Sequence, residues 1–190
     1  MTHGGLMDLI KTRRSYRKYA DLPVESEKLE ALKTTCAEAA HAFGSGATRF
    51  VFVQDPRARR RFIRAATSGL YGKINPWMYL TKAPYFVALV GYPNRAKRHG
   101  DREMYLAEAS MAMECLMLAA ASLGLATCWM AGYGERALSR ALNIPNDARI
   151  IAITPVGYPP ERAGVSMDSV TRLAVSKRRK PLEAICFFHE

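Results

Sequence analysis

The sequence has few cysteines and histidines, and neither type is spaced as a metal site requires. The four cysteines, Cys36, Cys115, Cys128 and Cys186, form no CxxC pair, and the four histidines are equally scattered, so we expect no metal site. The N-terminal stretch MTHGGLMDLIKTRR lacks the long apolar core of a secretory signal. We therefore expect free thiols in a reducing cytosol and a cytoplasmic protein.

Acidic residues are scarce relative to basic ones. The 190-residue chain has 17 Asp and Glu against 28 Lys and Arg, a formal net charge of +11. Such an excess favours an anionic partner: a nucleic acid, a membrane surface or a phosphorylated small molecule. The longest apolar stretch contains Glu108 and Glu114 and is too short to favour a membrane span. With 49% hydrophobic and 24% charged residues, the composition is that of one soluble domain over residues 1–190.

Helical and strand patterns are interleaved along the chain. Apolar spacing predicts helices over 6–13, 22–43, 55–64, 102–123 and 135–142, and buried strands over 50–53, 84–93 and 148–159. The helix over 102–123 is apolar nearly all round in its later part, so we expect it to be buried on most sides and to end at Gly124. Residues 67–83 lack clear periodicity and are predicted to form a partly ordered flap or a pocket-lining loop. This order indicates an α+β or α/β fold whose sheet packs on a central helix.

The stretch RRSYRKY, residues 13–19, puts four cations and two tyrosines into seven residues. A phosphate monoester is bound by several converging donors, among which arginine supplies a fork and serine a neutral hydroxyl. The basic cluster SKRRK, residues 176–180, is a second candidate for the same anion. From residue types alone, a solvated basic turn is an equal alternative.

The stretch TCWMAGY, residues 127–133, combines small residues with aromatic ones. Ala131 and Gly132 would let a flat ring approach the backbone closely and accept a hydrogen bond from an N–H group. A buried strand whose large residues fill the core is the commoner pattern. Cys128 has no base partner visible in the sequence, so it is predicted to be packed rather than nucleophilic.

Two further stretches favour structural roles. FGSGAT, residues 43–48, lacks the order of strand, glycines and lysine that a phosphate-binding loop requires. Arg57, Arg60, Arg61 and Arg64 share one helix face, where a solvated surface is about three times more frequent than a nucleic-acid contact. Nucleic-acid binding is therefore an alternative and not the leading expectation.

Four segments together resemble the nitroreductase family of FMN-dependent oxidoreductases. IKTRRSYRKY resembles the opening motif of the family and LGLATCWMAGY its middle motif, while IPNDARIIAITPVGYP and RRKPLEAI resemble the strand that follows and the closing basic segment. The matches come in the family's order over roughly the whole chain. The resemblance implies an α+β sandwich, with a mixed or antiparallel sheet around a buried long central helix. It also implies a homodimer with two FMN sites at the subunit interface.

The resemblance assigns site residues by position. The residues implied to hold the FMN phosphate and ribityl chain are Arg13, Arg14, Ser15 and Arg17, joined at the phosphate by Lys177 and Arg179; those implied to lie along the isoalloxazine are Met130, Ala131 and Gly132. The implied chemistry is ping-pong transfer of hydride from NADH or NADPH, through flavin N5, to a nitroaromatic, quinone or similar oxidant. This chemistry demands no side-chain acid or base, and none stands out in the sequence.

Two features depart from the family pattern. Many members carry an S-x-N-x-Q-P-W segment whose asparagine contacts the flavin, whereas this chain has AAHAFGSGATRF there. Ala131 stands where some members have a glutamate beside the flavin. Two alternatives stay open: a flavin-binding protein of the same fold without reductase turnover, and a basic nucleic-acid-binding module. No membrane partner is expected.

Overall fold

The computed structural model describes residues 3–42, 46–97, 102–161 and 185–186. Its helices are α1 (His3–Thr12), α2 (Ser26–Ala42), α3 (Pro56–Ala66), α4 (Tyr71–Ile74), α5 (Met104–Ser122) and α6 (Glu135–Ala141), with a 3₁₀ turn at Pro76–Leu80. Its strands are β1 (Thr48–Val53), β2 (Tyr85–Gly91), β3 (Ala126–Thr127) and β4 (Arg149–Gly157). The five helices and three strands predicted from apolar spacing are therefore confirmed.

The four strands form one antiparallel sheet in the order β1-β2-β4-β3. Every residue of β2 is buried, because this strand lies inside the sheet with both faces covered. The sequence predicts a buried strand for β1 too, but only Thr48 and Val53 are buried in it, since β1 lies at the sheet edge. An antiparallel sheet with helices packed on it is an α+β arrangement, so the alternative of a parallel α/β sheet is wrong.

Alternate residues of β2 face two separate cores. The odd-numbered residues pack with α2 and α5, in a core that includes Leu32 and Met113. The even-numbered residues pack on the other face with α3 and α6, in a core that includes Phe62 and Leu138. Successive side chains of a strand point to opposite faces. A strand covered on both faces is therefore apolar at every position, which explains the unbroken run YFVALV.

α5 is the central helix and packs against α2 and the sheet. By length and composition it could cross a membrane, but Ala109, Met113 and Leu116 are fully buried against α2 and the sheet, which makes it a core helix. The expectation that α5 is buried on most sides is only partly right, because a stripe at i, i+3, i+4 and i+7 is exposed. The stripe consists of Ala107, Ser110, Met111 and Glu114.

α5 ends in a left-handed turn at Gly124, as the sequence predicts. Gly124 has a φ of +74°, a conformation that favours glycine because it has no Cβ. Its N–H donates to the oxygen of Ala121 at 3.1 Å, and the N–H of Leu125 donates to the oxygen of Ala120 at 2.8 Å. This pair of bonds is a Schellman motif. It reverses the chain at the end of α5 and leads it directly into β3.

α3 begins at the predicted Asp55–Pro56 pair. The carboxylate of Asp55 accepts hydrogen bonds from the N–H groups of Arg57 at 3.0 Å and Ala58 at 2.8 Å, and the proline occupies the first turn, where its missing N–H costs nothing. All four arginines of the predicted basic face are exposed. The face is therefore confirmed as a surface, and Phe62 is buried on the opposite side of the helix.

Residues 67–83 are more regular than the sequence predicts. They contain α4 and the 3₁₀ turn, and Met78 is fully buried. Gly69, with a φ of +64°, follows the end of α3. Both helical pieces are too short to show a period in the sequence, which is why apolar spacing misses them.

The chain after β3 stays in register with β4 but lacks one bond of the ladder. Met130 and Ile153 exchange both backbone hydrogen bonds at 3.0 Å, in the register that β3 sets. Between this pair and β3 lies Pro155, which has no N–H to donate. The N–H of Cys128 donates to the Oγ1 of Thr154 at 3.0 Å in the protein interior. A side-chain hydroxyl thus satisfies a backbone group that a regular ladder would have paired.

Removing the Thr154 hydroxyl should weaken this junction. Thr154 is fully buried, and Thr154→Val keeps the side-chain shape while depriving the Cys128 N–H of that acceptor. A buried donor left unsatisfied costs about 1–3 kcal/mol, so we expect the free energy of unfolding in urea to fall by that amount. Thr154→Ser keeps the hydroxyl and is the control. An equal loss of stability in the two variants would contradict this role.

The cysteines are free thiols, as the sequence predicts. Cys36 and Cys128 are buried, Cys115 is partly buried and Cys186 is exposed. Burial raises the pKa of the Cys36 thiol to about 12, because the thiolate would be poorly solvated there. Cys128 is 1% exposed at the junction of β3 and β4, which confirms its prediction as a packed residue.

Thiol labelling should follow this order of burial. We expect iodoacetamide at pH 8 to modify Cys186 first and to leave Cys36 and Cys128 unmodified in the native protein, because buried thiols are inaccessible and inert. Peptide mass spectrometry after timed quenching measures the order. Protein unfolded in urea is the control in which all four thiols react. Rapid modification of Cys128 in the native protein would disprove its packed environment.

Candidate functional site

The two motifs that the sequence singles out lie side by side, although they are far apart along the chain. The N–H of Tyr16 donates to the oxygen of Thr127 at 2.9 Å, and Ser15 and Thr127 form a parallel β-bridge. Because Thr127 belongs to β3, this bridge fixes the stretch after α1 to the end of the sheet. RRSYRKY and TCWMAGY are thereby in direct contact in the folded chain.

Arg13 lies at the end of α1 and reaches towards α5. Its Nη2 donates to Oε2 of Glu114 at 3.4 Å and lies 3.3 Å from the sulfur of Met117. The carboxylate partner is 48% exposed, so this ion pair is weak. The Nε of Arg13 is buried and has no hydrogen-bond partner among the described residues. A buried guanidinium N–H without a partner is available to an anionic oxygen.

The other residues of RRSYRKY, which we call the basic turn, differ from Arg13 in exposure and in their partners. Arg14 is exposed, and its Nη1 donates to the oxygens of Lys11 at 2.5 Å and Arg13 at 2.8 Å. These carbonyls belong to the end of α1, where a cation is stabilising. Ser15 is exposed and Arg17 is partly buried. The turn therefore holds Arg13, Ser15 and Arg17 next to β3, while the guanidinium of Arg14 caps the helix.

Ala131 and Gly132, which we call the shelf, follow the buried Met130. Ala131 is exposed and Gly132 is partly buried. The backbone N–H groups of both residues donate to no described residue. Two adjacent N–H donors without a protein acceptor are available to the acceptor atoms of a ligand.

A β-bulge in β4 explains why the shelf leaves the sheet. Ile151 is the extra residue between the pairs Leu89–Ala152 and Val90–Ile150. The register of the preceding pairs would place Gly132 opposite this residue, and a bulge twists a strand and ends regular pairing. The chain departs from β4 at that point, which leaves the shelf N–H groups outside the ladder.

Asn75 and Tyr71 border the shelf, and sequence reasoning did not assign either of them to the site. The Nδ2 of Asn75 donates to the oxygen of Gly132 at 3.0 Å. A Cβ added at Gly132 would lie 3.7 Å from the ring carbons of Tyr71. The prediction that residues 67–83 line a pocket agrees with both contacts. No spacing rule connects these side chains to the shelf, so apolar periodicity could not identify them.

Tyr133 and Gly134 fix the chain beyond the shelf. The hydroxyl of Tyr133 donates to the oxygen of Ile150 at 2.7 Å, and burial raises the pKa of Tyr133, which keeps the phenol neutral. The N–H of Gly134 donates to the oxygen of Ala66 at 2.9 Å. A Cβ at Gly134 would lie 2.7 Å from the oxygen of Ala65. Glycine therefore allows α6 to begin in contact with the end of α3.

An open cleft of about 590 Å³ borders the shelf. One wall is formed by residues 68–71, and the other by Ala131 together with α6, including Arg136 and Arg140. This volume lies in the range of small-molecule sites. A larger cleft of about 840 Å³ runs along β1 and the first turns of α3 and contains no residue of either motif. The smaller cleft is therefore the candidate site.

Two of the cations predicted for the phosphate site belong to the C-terminal basic segment. Lys177 and Arg179 lie outside the described residues, as does much of the FGSGAT stretch. Within the described ranges, no group of three or more His, Cys, Asp or Glu residues is arranged to hold a metal ion. The basic turn, the shelf and the cleft are what the described chain brings together.

Comparison with known proteins covers the same regions. A sequence model described as the Nitroreductase family matches residues 10–158. A curated relative from Archaeoglobus fulgidus, provisionally named an NADH dehydrogenase/NAD(P)H nitroreductase, is 26% identical over 159 residues, which cover 82% of this chain and 86% of the relative.

Solved structures share the fold. A nitroreductase family protein from Clostridium novyi NT aligns with a TM-score of 0.72 and 24% identity, over 86% of this chain and 90% of that one. An FMN-dependent nitroreductase from Clostridium difficile R20291 aligns with a TM-score of 0.71 and 21% identity, over 97% and 99% of the two chains. The predicted α+β class is therefore confirmed. Because the family model covers most of the sequence, including both motifs of the site, this chain belongs to the nitroreductase family.

Proposed function

We propose that the protein is an FMN-dependent oxidoreductase that uses NADH or NADPH and acts as a homodimer in the cytoplasm. Membership of the nitroreductase family supports an oxidoreductase, and a solved relative of the same fold is named FMN-dependent. The observation that carries the proposal is the contact between Tyr16 and Thr127, because it bonds a cationic turn to β3, the strand that leads into the backbone shelf.

The described residues fit FMN in two respects. A phosphate dianion needs converging cationic and hydroxyl donors, and Arg13 offers a buried Nε without a described partner, with Ser15 and Arg17 in the same turn. The isoalloxazine ring carries nitrogen and oxygen acceptors, and the shelf offers two N–H groups without a protein acceptor. By resemblance, Lys177 and Arg179 would add two cations at the phosphate.

The chemistry that bound FMN would supply is acceptance of hydride from NAD(P)H at N5 and its donation, in ping-pong order, to a nitroaromatic, quinone or similar oxidant. The chain itself contributes positioning. The Met130–Ile153 pair holds one end of the shelf and Asn75 holds the Gly132 carbonyl. The Tyr133 phenol is committed to a backbone oxygen and stays protonated. No proton transfer by a described side chain at the shelf is needed for this role.

Exposed apolar side chains on α1 and α5 support the homodimer. Leu6 is 41% exposed and Ile10 is 51% exposed on α1, and Met111 is 45% exposed in the open stripe of α5. The two helices pack on each other. Burying such side chains against a second copy would remove apolar area from water at about 25 cal/mol per Å². In the proposed dimer each FMN site draws residues from both chains.

FMN binding is the direct test of the proposal. Protein incubated with FMN and then freed of unbound flavin should retain the visible flavin absorption, and NADH or NADPH under nitrogen should bleach it. Protein that stays colourless would refute the proposal. Protein that binds FMN but neither oxidises NAD(P)H nor reduces quinones and nitroaromatics would instead be a flavin-binding protein without turnover.

The basic turn should control FMN affinity. Arg13→Ala combined with Arg17→Ala removes two cations from the proposed phosphate site, and charge-assisted hydrogen bonds contribute about 1.5–3 kcal/mol each. We therefore expect the FMN dissociation constant, measured by fluorescence titration, to rise at least roughly a hundredfold. The elution volume and circular dichroism should stay unchanged.

A charge-matched control tests whether position matters. Arg57→Ala with Arg60→Ala removes the same charge from α3, on a face that does not line the cleft, and should leave FMN affinity unchanged. Equal loss of affinity in both double variants would indicate a general effect of net charge and would contradict the assignment.

A further inference from the structure

The cleft beside the shelf has a charged wall that the proposed FMN site does not use. α6 supplies Arg136 and Arg140, both exposed, to the lining of this cleft. The same cleft includes Ala131, one of the two shelf residues. A molecule that reacts at the shelf while occupying the cleft therefore extends towards two guanidinium groups.

The two arginines are neighbours on one side of α6. Residues at i and i+4 lie on the same helix face about 6 Å apart along the axis. Two like charges at this spacing repel each other and destabilise a helix slightly. An anion bound between them would remove that repulsion and could accept from both planar forks.

Neither arginine is neutralised within the described part of the chain. No hydrogen bond or ion pair joins the Arg136 or Arg140 side chain to another described residue. The acid that lines the same cleft, Glu135, already has a cationic partner, because its Oε1 lies 3.4 Å from the Nε of Arg149. The cleft therefore has an uncompensated positive charge of two at its α6 wall.

The position of α6 relative to the shelf is fixed. Leu138, on the opposite face of α6, is fully buried in the core, and the N–H of Gly134 is bonded to the end of α3. Tyr133, the residue between shelf and helix, is bonded to Ile150 in β4. Arginines on a rigid element select by position better than arginines on a free loop.

We propose that Arg136 and Arg140 form an anion subsite, which binds a phosphate or carboxylate carried by the molecule that reacts at the shelf. The inference rests on the proposed function, since it assigns part of the substrate and not the flavin itself. Two sources would present this chemistry: the 2′-phosphate that distinguishes NADPH from NADH, or an anionic substituent on the oxidant. The neutral end of the reactant lies at Ala131 and Tyr71, and its anion lies against α6.

The experiment compares FMN-loaded wild-type protein with the Arg136→Gln, Arg140→Gln variant. One arm measures binding of NADP⁺ and of NAD⁺ by calorimetry, without turnover. The other arm measures KM and kcat for a sulfonated quinone and for the matched neutral quinone. In the arm that contains the natural anion, the wild-type protein should prefer NADP⁺ over NAD⁺, or the sulfonated over the neutral quinone, and the variant should lose roughly tenfold in that preference. Affinity for NAD⁺ or the neutral quinone, and kcat, should stay unchanged.

Two controls keep the result specific. Arg57→Gln with Arg60→Gln removes the same net charge from α3, outside the cleft, and should keep the preference. Arg136→Lys with Arg140→Lys keeps the charge and should retain most of it. A wild-type protein without preference in either arm would overturn the subsite, as would equal losses in the α3 and α6 variants. Loss of flavin colour in the wild-type protein would refute the proposed function instead, so the two failures are distinguishable.

Discussion

One backbone hydrogen bond, from the N–H of Tyr16 to the oxygen of Thr127, joins the two halves of the candidate site. Its own net contribution to stability is about 1 kcal/mol. Its importance lies in where it acts, because it connects the turn that ends α1 to the short strand that follows α5. The basic turn could otherwise take many positions relative to the shelf. This bond fixes the turn beside Thr127, four residues before the shelf begins.

The shelf depends on interruptions of regular structure. The turn at Gly124 delivers the chain into β3, which is two residues long. Pro155 has no N–H to donate to the ladder, and the Cys128 N–H donates to the Thr154 hydroxyl. The bulge at Ile151 then ends the pairing. A regular strand would have used its N–H groups on β4, so the departures from regularity are what leave two donors available to a ligand.

The sequence predicts the elements of this fold better than it predicts their exposure. Gly124 and the Asp55–Pro56 pair act through local backbone chemistry, and both end or begin their helices as expected. The same apolar pattern misjudges β1 and one stripe of α5, because position in the sheet and packing against other elements are not local properties. For the site, RRSYRKY and TCWMAGY are identifiable as candidates, but their adjacency is not. Asn75 reaches Gly132 through a segment without periodicity, so only the folded chain reveals it.

The basic residues that give the chain its excess positive charge have several unrelated roles. Arg14 caps the carbonyl end of α1, and Arg59 donates to the oxygen of Pro84 at 2.9 Å, so both act on the protein's own backbone. Arg13 extends from the turn towards α5, and its Nε–H has no hydrogen-bond partner among the described residues. The net charge does not distinguish these arginines from one another. On its own, it therefore favours nucleic acid as much as a phosphorylated small molecule. What separates the two is geometry: α6 carries two arginines on the wall of the cleft, and the basic turn, with the spare Nε–H of Arg13, is bonded to β3 a few residues before the shelf. Cationic elements before and after the neutral shelf along the chain match the proposed reaction, in which both the cofactor and its co-substrate would carry anionic groups.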